Sequence, residues 1–433
     1  MSSHLPGLPV TVEAWLSYIE SLHPKSIEMG LSRVQAVASR LQLEFPFTVI
    51  TVGGTNGKGS TCAMLEGIYA TAGYRVGCYT SPHLVQYQER VRLSGALIAD
   101  DVLCAAFKAV EIAREDIALT YFEMGTLAAL WAFEQQPLDI VILEVGLGGR
   151  LDAVNIVDAD CAIVTNVDLD HMEFLGDTRE LIGHEKAGIY RKEQIAICGD
   201  AHPPLSLLSY AGSLGVPLKR YGVDYRMDMA DAEYSDAEGS LAIDPLQLFG
   251  DYQWQNAANV IYAVRALQPQ LPVTDDDLRQ GLTSTEVVGR FQYWQRSPDV
   301  ILDVAHNPHA ARALRSNLQQ LSEKGCKVFA VFSMLSDKDI AGVVDILHDV
   351  IDEWEVAPIQ HPRAASVDCL RQCLSHKVSE QRLHTHPDLP AALRSCYKKA
   401  VKNDKIIVFG SFFTVAAILE ITPEQWISSI ATR

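Results

Sequence analysis

The sequence predicts an α/β protein with two unequal domains, and three observations support this fold class. A glycine-rich segment lies at residues 51–62, between an apolar run and a stretch with helical periodicity. Apolar runs then alternate with amphipathic stretches, which is typical of strands and helices around a mostly parallel sheet. A new series of the same kind begins near residue 289. We therefore expect an N-terminal domain over 1–286 and a smaller, Rossmann-like domain over 287–433.

The amino-acid composition and net charge are those of an ordinary globular protein, in which local features would have to hold any anionic ligand. The chain has 433 residues, 48% of them hydrophobic and 21% charged, with a formal net charge of −18. This charge, without a long basic run, argues against nucleic acid and anionic membranes as partners. Nine scattered cysteines indicate free thiols in a reducing, cytoplasmic compartment, and the spacing of Cys369 and Cys373 fits one helix face. We find neither a signal peptide nor an apolar stretch of about 20 residues.

Periodicity and apolar runs place the other elements in chain order. The predicted helices are 15–19, 31–41, the stretch after the glycine-rich segment, 100–114, 126–135, 180–189, 204–214, 253–267 and 275–282. The predicted strands are 74–79, 138–145, 160–166, 195–198, 300–304, 328–332, 354–357 and 406–409, with a small antiparallel excursion within 221–249. The later strands alternate with helices, so the second sheet is expected to be parallel.

The glycine-rich segment reads TVGGTNGKGSTC and predicts a phosphate-binding loop between a strand and a helix. Its glycines let the backbone take positive φ and approach an anion, toward which the N-terminus of the helix points. Lys58 supplies a cation for the terminal phosphates, and Ser60 or Thr61 supplies a hydroxyl for Mg²⁺ or phosphate. Gly59 separates Lys58 from Ser60 and departs from the usual Gly-Lys-Ser/Thr order. A glycine-rich turn without a ligand is the alternative.

Polar residues follow three predicted strands, at the edge where open α/β sheets bind ligands. Ser81 fits either a metal ligand or simple turn chemistry. Glu144 closes an apolar strand, where a carboxylate is costly to bury unless it binds metal, orients water or forms an ion pair. His171 fits a metal ligand, a base or a helix cap. The three strand ends would converge beside the phosphate loop.

Other candidates are less specific. The aromatic pair within residues 120–123 could cup a planar ring or simply belong to the core. Lys186 lies in a predicted helix, where an isolated lysine is usually a solvated surface charge. Asn256 lies on one face of another helix. Asp303 ends a strand, where it could meet a ribose hydroxyl or a substrate amine.

Taken together, these segments resemble the folylpolyglutamate synthase/dihydrofolate synthase family, the folate branch of the Mur-ligase-like ATP-dependent amide ligases. The matching stretches span about residues 20 to 415 in the expected order. They are GTNGKGS at 54–60, TSPHL at 80–84, TYFE at 120–123, EVGLGGRLDAVN at 144–155, LDH at 169–171, EKAGI at 185–189, GRF at 289–291 and DVAHNPHA at 303–310. Val154 departs from the threonine that is common in the family.

The resemblance implies a role for each matching residue. ATP would be bound by Gly57, Lys58, Gly59, Ser60, Asn256, Arg290 and Asp303, and metal by Ser81, Glu144, His171 and Lys186. The pterin or folate pocket would comprise Thr120, Tyr121, Phe122, Glu123, Leu151, Asp152 and Ala153. Lys58, Lys186 and His306 would be catalytic. Lys186 would be carbamylated to bridge to the metal, and His306 fits either a base for the amine or a contact to nucleotide or glutamate.

The implied enzyme is a cytoplasmic, monomeric ligase with a Mur-ligase-like ATP-binding domain, a C-terminal glutamate-ligase domain and an active site in the cleft between them. It would use ATP and Mg²⁺, with K⁺ as an optional further cation. It would join L-glutamate to 7,8-dihydropteroate and to tetrahydrofolates through an acyl phosphate. The alternative is polyglutamylation alone, without dihydropteroate activity.

Three other classes of protein fit the sequence less well. Peptidoglycan-type Mur ligases commonly carry an extra N-terminal domain, for which about 45 residues before the phosphate loop leave no room. A GTPase switch would need an Asn-Lys-x-Asp motif, which does not occur. A simple kinase would transfer phosphate without needing the amine.

Overall fold

The computed structural model of the chain divides into two compact units. One unit comprises Met1–Leu246 and Gln253–Thr285, and the other comprises Gln247–Tyr252 and Glu286–Arg433. The structure describes residues 7–25, 27–321, 325–422 and 424–426.

The elements up to residue 285 alternate between strands and helices for most of their length. In chain order they are α1 Val12–Ser21, α2 Ser32–Leu41, β1 Thr48–Gly53, α3 Lys58–Thr71, β2 Val76–Tyr79, β3 Val91–Leu93, β4 Ala96–Leu97, α4 Asp100–Arg114, α5 Tyr121–Glu134, β5 Ile140–Glu144, β6 Cys161–Val164, α6 Met172–Leu175, α7 Arg179–Ala187, β7 Ile195–Cys198, α8 Leu205–Leu214, β8 Lys219–Arg220, β9 Tyr225–Asp228, β10 Glu233–Asp236, β11 Gly239–Ala242, α9 Asp251–Ala266 and α10 Asp275–Thr283.

The main sheet of this unit has eight strands in the order β4-β3-β2-β5-β1-β6-β7-β8. All neighbours from β2 to β8 pair in parallel, whereas β3 and β4 form an antiparallel edge. The turn between β3 and β4 is Ser94-Gly95, with both residues at positive φ, a hairpin signal that the periodicity analysis missed. Strands β9 to β11 form a separate antiparallel sheet, which confirms the predicted excursion.

Apolar side chains hold the helices on the sheet. Trp15 of α1, Val37 of α2, Phe107 of α4 and Phe133 of α5 belong to one buried cluster, together with Val141 of β5. A second cluster joins α7 and α8 to β6 and β7. Because the central strands are covered in this way, they are continuously apolar rather than alternating.

The second unit is a smaller α/β layer around a mixed sheet. Its elements are β12 Gln292–Gln295, β13 Asp299–Asp303, α11 Pro308–Leu321, β14 Val328–Phe332, α12 Ile340–Leu347, β15 Glu353–Val356, α13 Val367–Ser375, β16 Leu383–Thr385, α14 Leu389–Lys399, β17 Lys405–Phe409 and α15 Phe412–Leu419. The strand order is β12-β13-β17-β14-β15-β16. These two units confirm the α/β class with a larger, mostly parallel sheet and a smaller C-terminal sheet.

Two local expectations were wrong. The second sheet is not wholly parallel, because β12 pairs antiparallel with β13 across a connection too short for a parallel crossover. The helix expected at 126–135 begins at Tyr121 instead. Thr120 and Glu123 form a capping box there, in which each side chain accepts a hydrogen bond from the other residue's backbone N–H. The Thr-x-x-Glu pattern was visible in the sequence.

Cysteine placement agrees with the expectation from the sequence. Cys369 and Cys373 both lie in α13. All nine cysteines are free thiols. Among the described residues, no helix combines the length and the apolar character needed to cross a membrane.

Close packing of α10 on α3 gives a test of this fold. A Cβ atom at Gly281 would lie 2.4 Å from Cα of Ile68 and 2.7 Å from its backbone nitrogen. Gly281→Ala should therefore lower the free energy of unfolding of this unit by about 1–3 kcal/mol, because backbone must move. Calorimetric unfolding of the whole chain measures the effect.

Gly212→Ala in α8 is the matched control, since nothing lies within 4 Å of that Cβ position. It should raise stability by about 0.5–1 kcal/mol through helix propensity. Equal effects of the two substitutions would contradict the close contact between α3 and α10.

Candidate functional site

The loop between β1 and α3 has the geometry of an anion site. Gly57 precedes the helix at φ 83°, a left-handed conformation that favours glycine, and no side chain caps the helix. The first N–H groups of α3 therefore lack a side-chain cap and point out of the helix end. Such an end, close to a cation, suits a phosphate group.

Residues at the end of β6 fix the shape of this loop. The Thr165 hydroxyl donates to the Asn56 carbonyl at 2.6 Å, and Asn56 N–H donates to Oδ1 of Asn166 at 3.0 Å. A Cβ atom at Gly54 would lie 1.8 Å from the Thr165 hydroxyl oxygen, so only glycine fits. Neither Thr165 nor Asn166 had a predicted role, because their only signal in the sequence was their place at a strand end.

Lys58 lies over the loop itself. Its Nζ donates to the carbonyls of Gly54 at 3.1 Å and Thr55 at 3.2 Å. The ammonium group therefore stays beside the N-terminus of α3, where a phosphate oxygen could replace these carbonyls as acceptor.

One face of α9 meets the loop from another side. Nε2 of Gln253 donates to the hydroxyl of Ser60 at 3.2 Å, and Nδ2 of Asn256 donates to Oε1 of Gln253 at 3.0 Å. A Cβ atom at Gly57 would lie 2.6 Å from Oδ1 of Asn256. Gln253 was missed in the sequence, although its i,i+3 spacing from Asn256 places both on one helix face.

The ends of β2 and β5 bring two predicted metal ligands together. These strands are neighbours and parallel, so their carboxyl ends share one edge. The backbone N–H of Ser81 donates to Oε2 of the buried Glu144 at 3.0 Å. A Cβ atom at Gly59 would meet only the Glu144 carboxylate, at 3.9 Å, so there is room between loop and carboxylate. This carboxylate suits Mg²⁺, which prefers oxygen ligands.

His171 follows β6 in a conformation with φ 51°, just before α6. Its side chain makes no capping hydrogen bond to that helix. Nε2 lies 4.0 Å from Oδ2 of Asp170, and the side chain is about one-third exposed. These observations remove the helix-cap interpretation of the side chain.

Lys186 is buried in α7, so the interpretation as a solvated surface charge is wrong. Burial and the nearby Lys58 ammonium lower the pKa of Lys186 to about 7, against the opposing effect of Asp170 and Asp152. A lysine with this pKa has a substantial neutral fraction at physiological pH. Neutral amines are nucleophiles, which is the property that uptake of carbon dioxide requires.

The loop after β5 is fastened to the same helix. Arg150 pairs with Glu185 at 2.8 Å, and Nδ2 of Asn155 donates to the Gly188 carbonyl at 3.0 Å. A Cβ atom at Gly149 would lie 2.8 Å from the Glu185 carbonyl, so the loop and α7 approach at backbone distance. This contact ties the loop to the helix that contains Lys186.

Asp152 organises that loop from within. Its carboxylate accepts from the N–H groups of Leu147 at 2.7 Å and Val154 at 3.0 Å. Burial raises the pKa of Asp152 to about 7, although these backbone donors and Lys58 favour the ionised form. Leu151 and Ala153 flank it, the first half-buried and the second buried.

The 120–123 segment is more structural than its sequence suggested. Glu123 is buried and accepts from Nη2 of Arg33 at 2.9 Å, in addition to its capping role. Tyr121 is half-buried with its ring 5.9 Å from Tyr87. Phe122 is also half-buried and covers Gly146, where a Cβ atom would lie 2.5 Å from the ring. Both rings therefore have protein contacts and also keep exposed surface for a planar ligand.

In the second unit, Asp303 joins two backbone segments. Its carboxylate accepts from the N–H groups of Phe291 at 3.0 Å and Ala305 at 2.8 Å. Burial raises the pKa of Asp303, while Arg290, these donors and His306 oppose the rise. The guanidinium of Arg290 lies 5.6 Å from the ring centroid of Phe412. Thus Arg290 and Asp303 are neighbours within one unit.

His306 has a defined tautomer in its neutral form. Nδ1 lies 2.8 Å from the Val304 carbonyl, which can only accept, so Nδ1 carries the proton. The lone pair of the neutral ring is then on Nε2. The ring lies 5.9 Å from that of Phe412.

Comparisons with known proteins agree with this geometry. Residues 52–264 match the Mur ligase middle domain, and residues 289–412 match the Mur ligase glutamate ligase domain. The chain is 47% identical over 419 residues to a dihydrofolate synthase/folylpolyglutamate synthase from Escherichia coli strain K12, with 96% of each chain covered.

Solved structures are similar over nearly the whole chain. E. coli FolC in complex with DHPP and ADP is 46% identical, with a TM-score of 0.90 and coverage of 95% of this chain and 97% of that one. A bifunctional folylpolyglutamate synthase/dihydrofolate synthase with Mn, AMPPNP and L-glutamate bound is 44% identical, with a TM-score of 0.87 and coverage of 95% and 97%.

Sequence similarity and a common fold therefore extend over almost the full length of the chain. The chain belongs to the dihydrofolate synthase/folylpolyglutamate synthase family of Mur-type ligases.

Proposed function

We propose that this protein is an ATP-dependent ligase that adds L-glutamate to 7,8-dihydropteroate, giving dihydrofolate, and to tetrahydrofolates as a folylpolyglutamate synthase. The observation that supports it most strongly is the phosphate loop beside the carboxyl ends of β2 and β5, where Gly59 faces the carboxylate of Glu144 that accepts from the N–H of Ser81. The bound DHPP, ADP and L-glutamate of the similar structures support the choice of substrates.

The reaction has two steps. A carboxylate oxygen of the acceptor attacks the γ-phosphorus of ATP, and the bond to the leaving ADP oxygen breaks. The α-amine of glutamate then attacks the acyl carbon, forming the amide as phosphate departs and the amine loses a proton. The loop backbone, Gly57 to Ser60, holds the phosphates, and Lys58 neutralises the charge that moves toward ADP.

Metal ligation is assigned to Ser81, Glu144, His171 and Lys186. Mg²⁺ bound there would neutralise phosphate oxygens. We assign Lys186 as a carbamate, formed when its neutral amine adds to carbon dioxide and loses a proton. Burial of this lysine and its proximity to Lys58 support the assignment, because a neutral or acidic group is favoured over a second buried cation.

The remaining roles are assigned by matching residues. Asn256, Arg290 and Asp303 contact ATP, and His306 accepts the amine proton through Nε2. Residues 120–123 and 151–153 form the pterin or folate pocket. Residues 1–286 and 287–433 act as the ATP-binding and glutamate-ligase domains.

Nine free thiols support a cytoplasmic location. We further propose a monomer.

A glutamate-incorporation assay separates the two acceptor activities. With ATP and Mg²⁺, both dihydropteroate and tetrahydrofolate should take up labelled L-glutamate, and phosphate release should require acceptor and glutamate together. Incorporation into tetrahydrofolate alone would remove the dihydropteroate activity and leave polyglutamylation. Phosphate transfer to the acceptor in the absence of glutamate, with no amide formed in its presence, would instead identify a kinase.

Lys186→Ala tests the carbamate. Turnover at saturating Mg²⁺ should fall by about 100-fold or more, because an anion at the metal is lost, and bicarbonate should not restore it. Lys192→Ala changes an exposed lysine five residues after α7 ends and should stay within about twofold of the unchanged protein.

Carbon-13 NMR adds a direct measurement. A carbamate signal from labelled bicarbonate should appear in the unchanged protein and disappear in Lys186→Ala. Near-normal turnover of the variant would refute the role of the lysine.

Gly57→Ala tests the phosphate loop. The new methyl group meets Oδ1 of Asn256 at a φ that disfavours alanine, so affinity for a non-hydrolysable ATP analogue should fall by about tenfold or more. Isothermal titration measures the change. Gly73→Ala is the matched control. Gly73 has φ 87° and nothing lies within 4 Å of an added Cβ atom, so this variant has the backbone strain without the contact and should bind the analogue normally. Equal losses in both variants would point to general destabilisation instead.

A further inference from the structure

A second cluster of potential metal ligands lies within the C-terminal unit, away from the residues assigned to catalysis. Glu353 and Glu355 lie on β15, and His384 lies on the parallel edge strand β16. Backbone register aligns Glu355 with His384. Glu353 is two residues before Glu355 and so projects from the same face of the sheet. The three side chains therefore converge because of strand pairing, not because of a mobile loop.

The distances in this cluster suit a shared cation. One ligand atom from each of the three residues lies within 4.8 Å of the others. Nε2 of His384 is 3.7 Å from Oε2 of Glu353, too long for a good hydrogen bond. Two ligands of a tetrahedral zinc ion with bonds of about 2.1 Å stand about 3.4 Å apart. The distance between Nε2 of His384 and Oε2 of Glu353 is thus closer to that between two ligands of one ion than to that of a hydrogen bond.

A cation already occupies the position between the two carboxylates. Nζ of Lys399 donates to Oε2 of Glu353 at 2.9 Å and to Oε1 of Glu355 at 2.7 Å. The carboxylate of Glu355 is fully buried, and its other oxygen contacts Nε2 of His386. Lys399 ends α14 with a side chain about one-third exposed, so it can turn outward. The buried carboxylate therefore needs a positive partner, but that partner is replaceable.

We propose that Glu353, Glu355 and His384 form a binding site for a zinc-class divalent ion, which Lys399 occupies with its ammonium group when the ion is absent. On binding, the ion takes the place of the ammonium between the two carboxylates, and Lys399 turns to solvent. Nε2 of His384 supplies the nitrogen ligand, and water completes the coordination. His386 remains on the second oxygen of Glu355 and orients that carboxylate.

The chemistry of the ligands selects the class of ion. Two carboxylates and an imidazole favour zinc and its transition-metal neighbours, because an imidazole ligand binds these ions more strongly than it binds Mg²⁺ or Ca²⁺. Partial exposure of Glu353 and His384 gives an ion a route of entry. Binding would link β15 to β16, which has no further strand on its outer side in the described sheet. The edge of this unit would be stabilised as a result.

Zinc titration of the full-length chain tests the site. The protein is saturated with Mg²⁺ and a non-hydrolysable ATP analogue, so that the assigned catalytic ligands are occupied. The unchanged protein should bind one Zn²⁺ that His384→Ala and Glu353→Gln weaken by about tenfold or more. His376→Ala, which removes an exposed histidine at the end of α13, should leave that binding intact. Cobalt substitution should add a visible absorption band that depends on His384.

Lys399→Gln distinguishes displacement from simple addition. Without the competing ammonium, zinc should bind more tightly than to the unchanged protein. Weaker binding in this variant, when its circular dichroism is unchanged, would contradict displacement. The proposal is overturned if the unchanged protein binds no zinc under these conditions, or if its zinc binding is the same in His384→Ala. Both outcomes leave the ligase assignment untouched, since that is measured by glutamate incorporation.

Discussion

The turn at Gly57 is the constraint on which the site depends. It changes the direction of the chain between a buried strand and α3, and its left-handed conformation points the first N–H groups of the helix at one place. Thr165, Asn166 and Asn256 leave the turn little freedom to relax, because each approaches a glycine or a backbone group of the loop. In the proposed site, an acidic chain would hold an anionic nucleotide with backbone dipoles and one lysine rather than with a basic surface.

The parallel sheet explains why residues distant in sequence lie close together. Ser81 and Glu144 are far apart in sequence but follow neighbouring strands, so their separation in space is set by strand pairing. Lys186 lies on α7, and the loop after β5 packs directly against the backbone at the end of this helix. Burial then changes the chemistry of that lysine, since a second ammonium close to Lys58 is disfavoured. Strand pairing therefore sets the positions of Ser81 and Glu144, and burial lowers the pKa of Lys186.

Periodicity was enough for most of the fold. Helix α4 and strands β7 and β14 have the limits expected from the sequence, because their apolar patterns are long and bounded by turn residues. The errors have local causes. The β3–β4 hairpin is too short to show alternation, β12 is fixed by its tight connection, and the start of α5 is set by its capping box.

The site was less predictable than the fold. Lys186 could not be recognised as buried from its helix alone, because burial depends on which face the rest of the chain covers. Gln253 and Thr165 contact the phosphate loop only through tertiary packing. In the segment at 120–123, a capping box and an ion pair with Arg33 give Glu123 a structural role that its residue type alone did not indicate. Residue type indicated which chemistry each side chain could perform, but its burial and its contacts became visible only in the folded structure.

Transfer of oxygen from substrate to phosphate tests the central claim that the loop delivers the γ-phosphate to an acceptor carboxylate. Both carboxylate oxygens of dihydropteroate are labelled with oxygen-18, and the protein converts this substrate with ATP and L-glutamate. Mass spectrometry then measures how many labelled oxygens each released phosphate contains. Each phosphate should carry one labelled oxygen, because the carbon–oxygen bond of the acyl phosphate breaks when the amine attacks. Unlabelled phosphate at full amide yield would contradict the account.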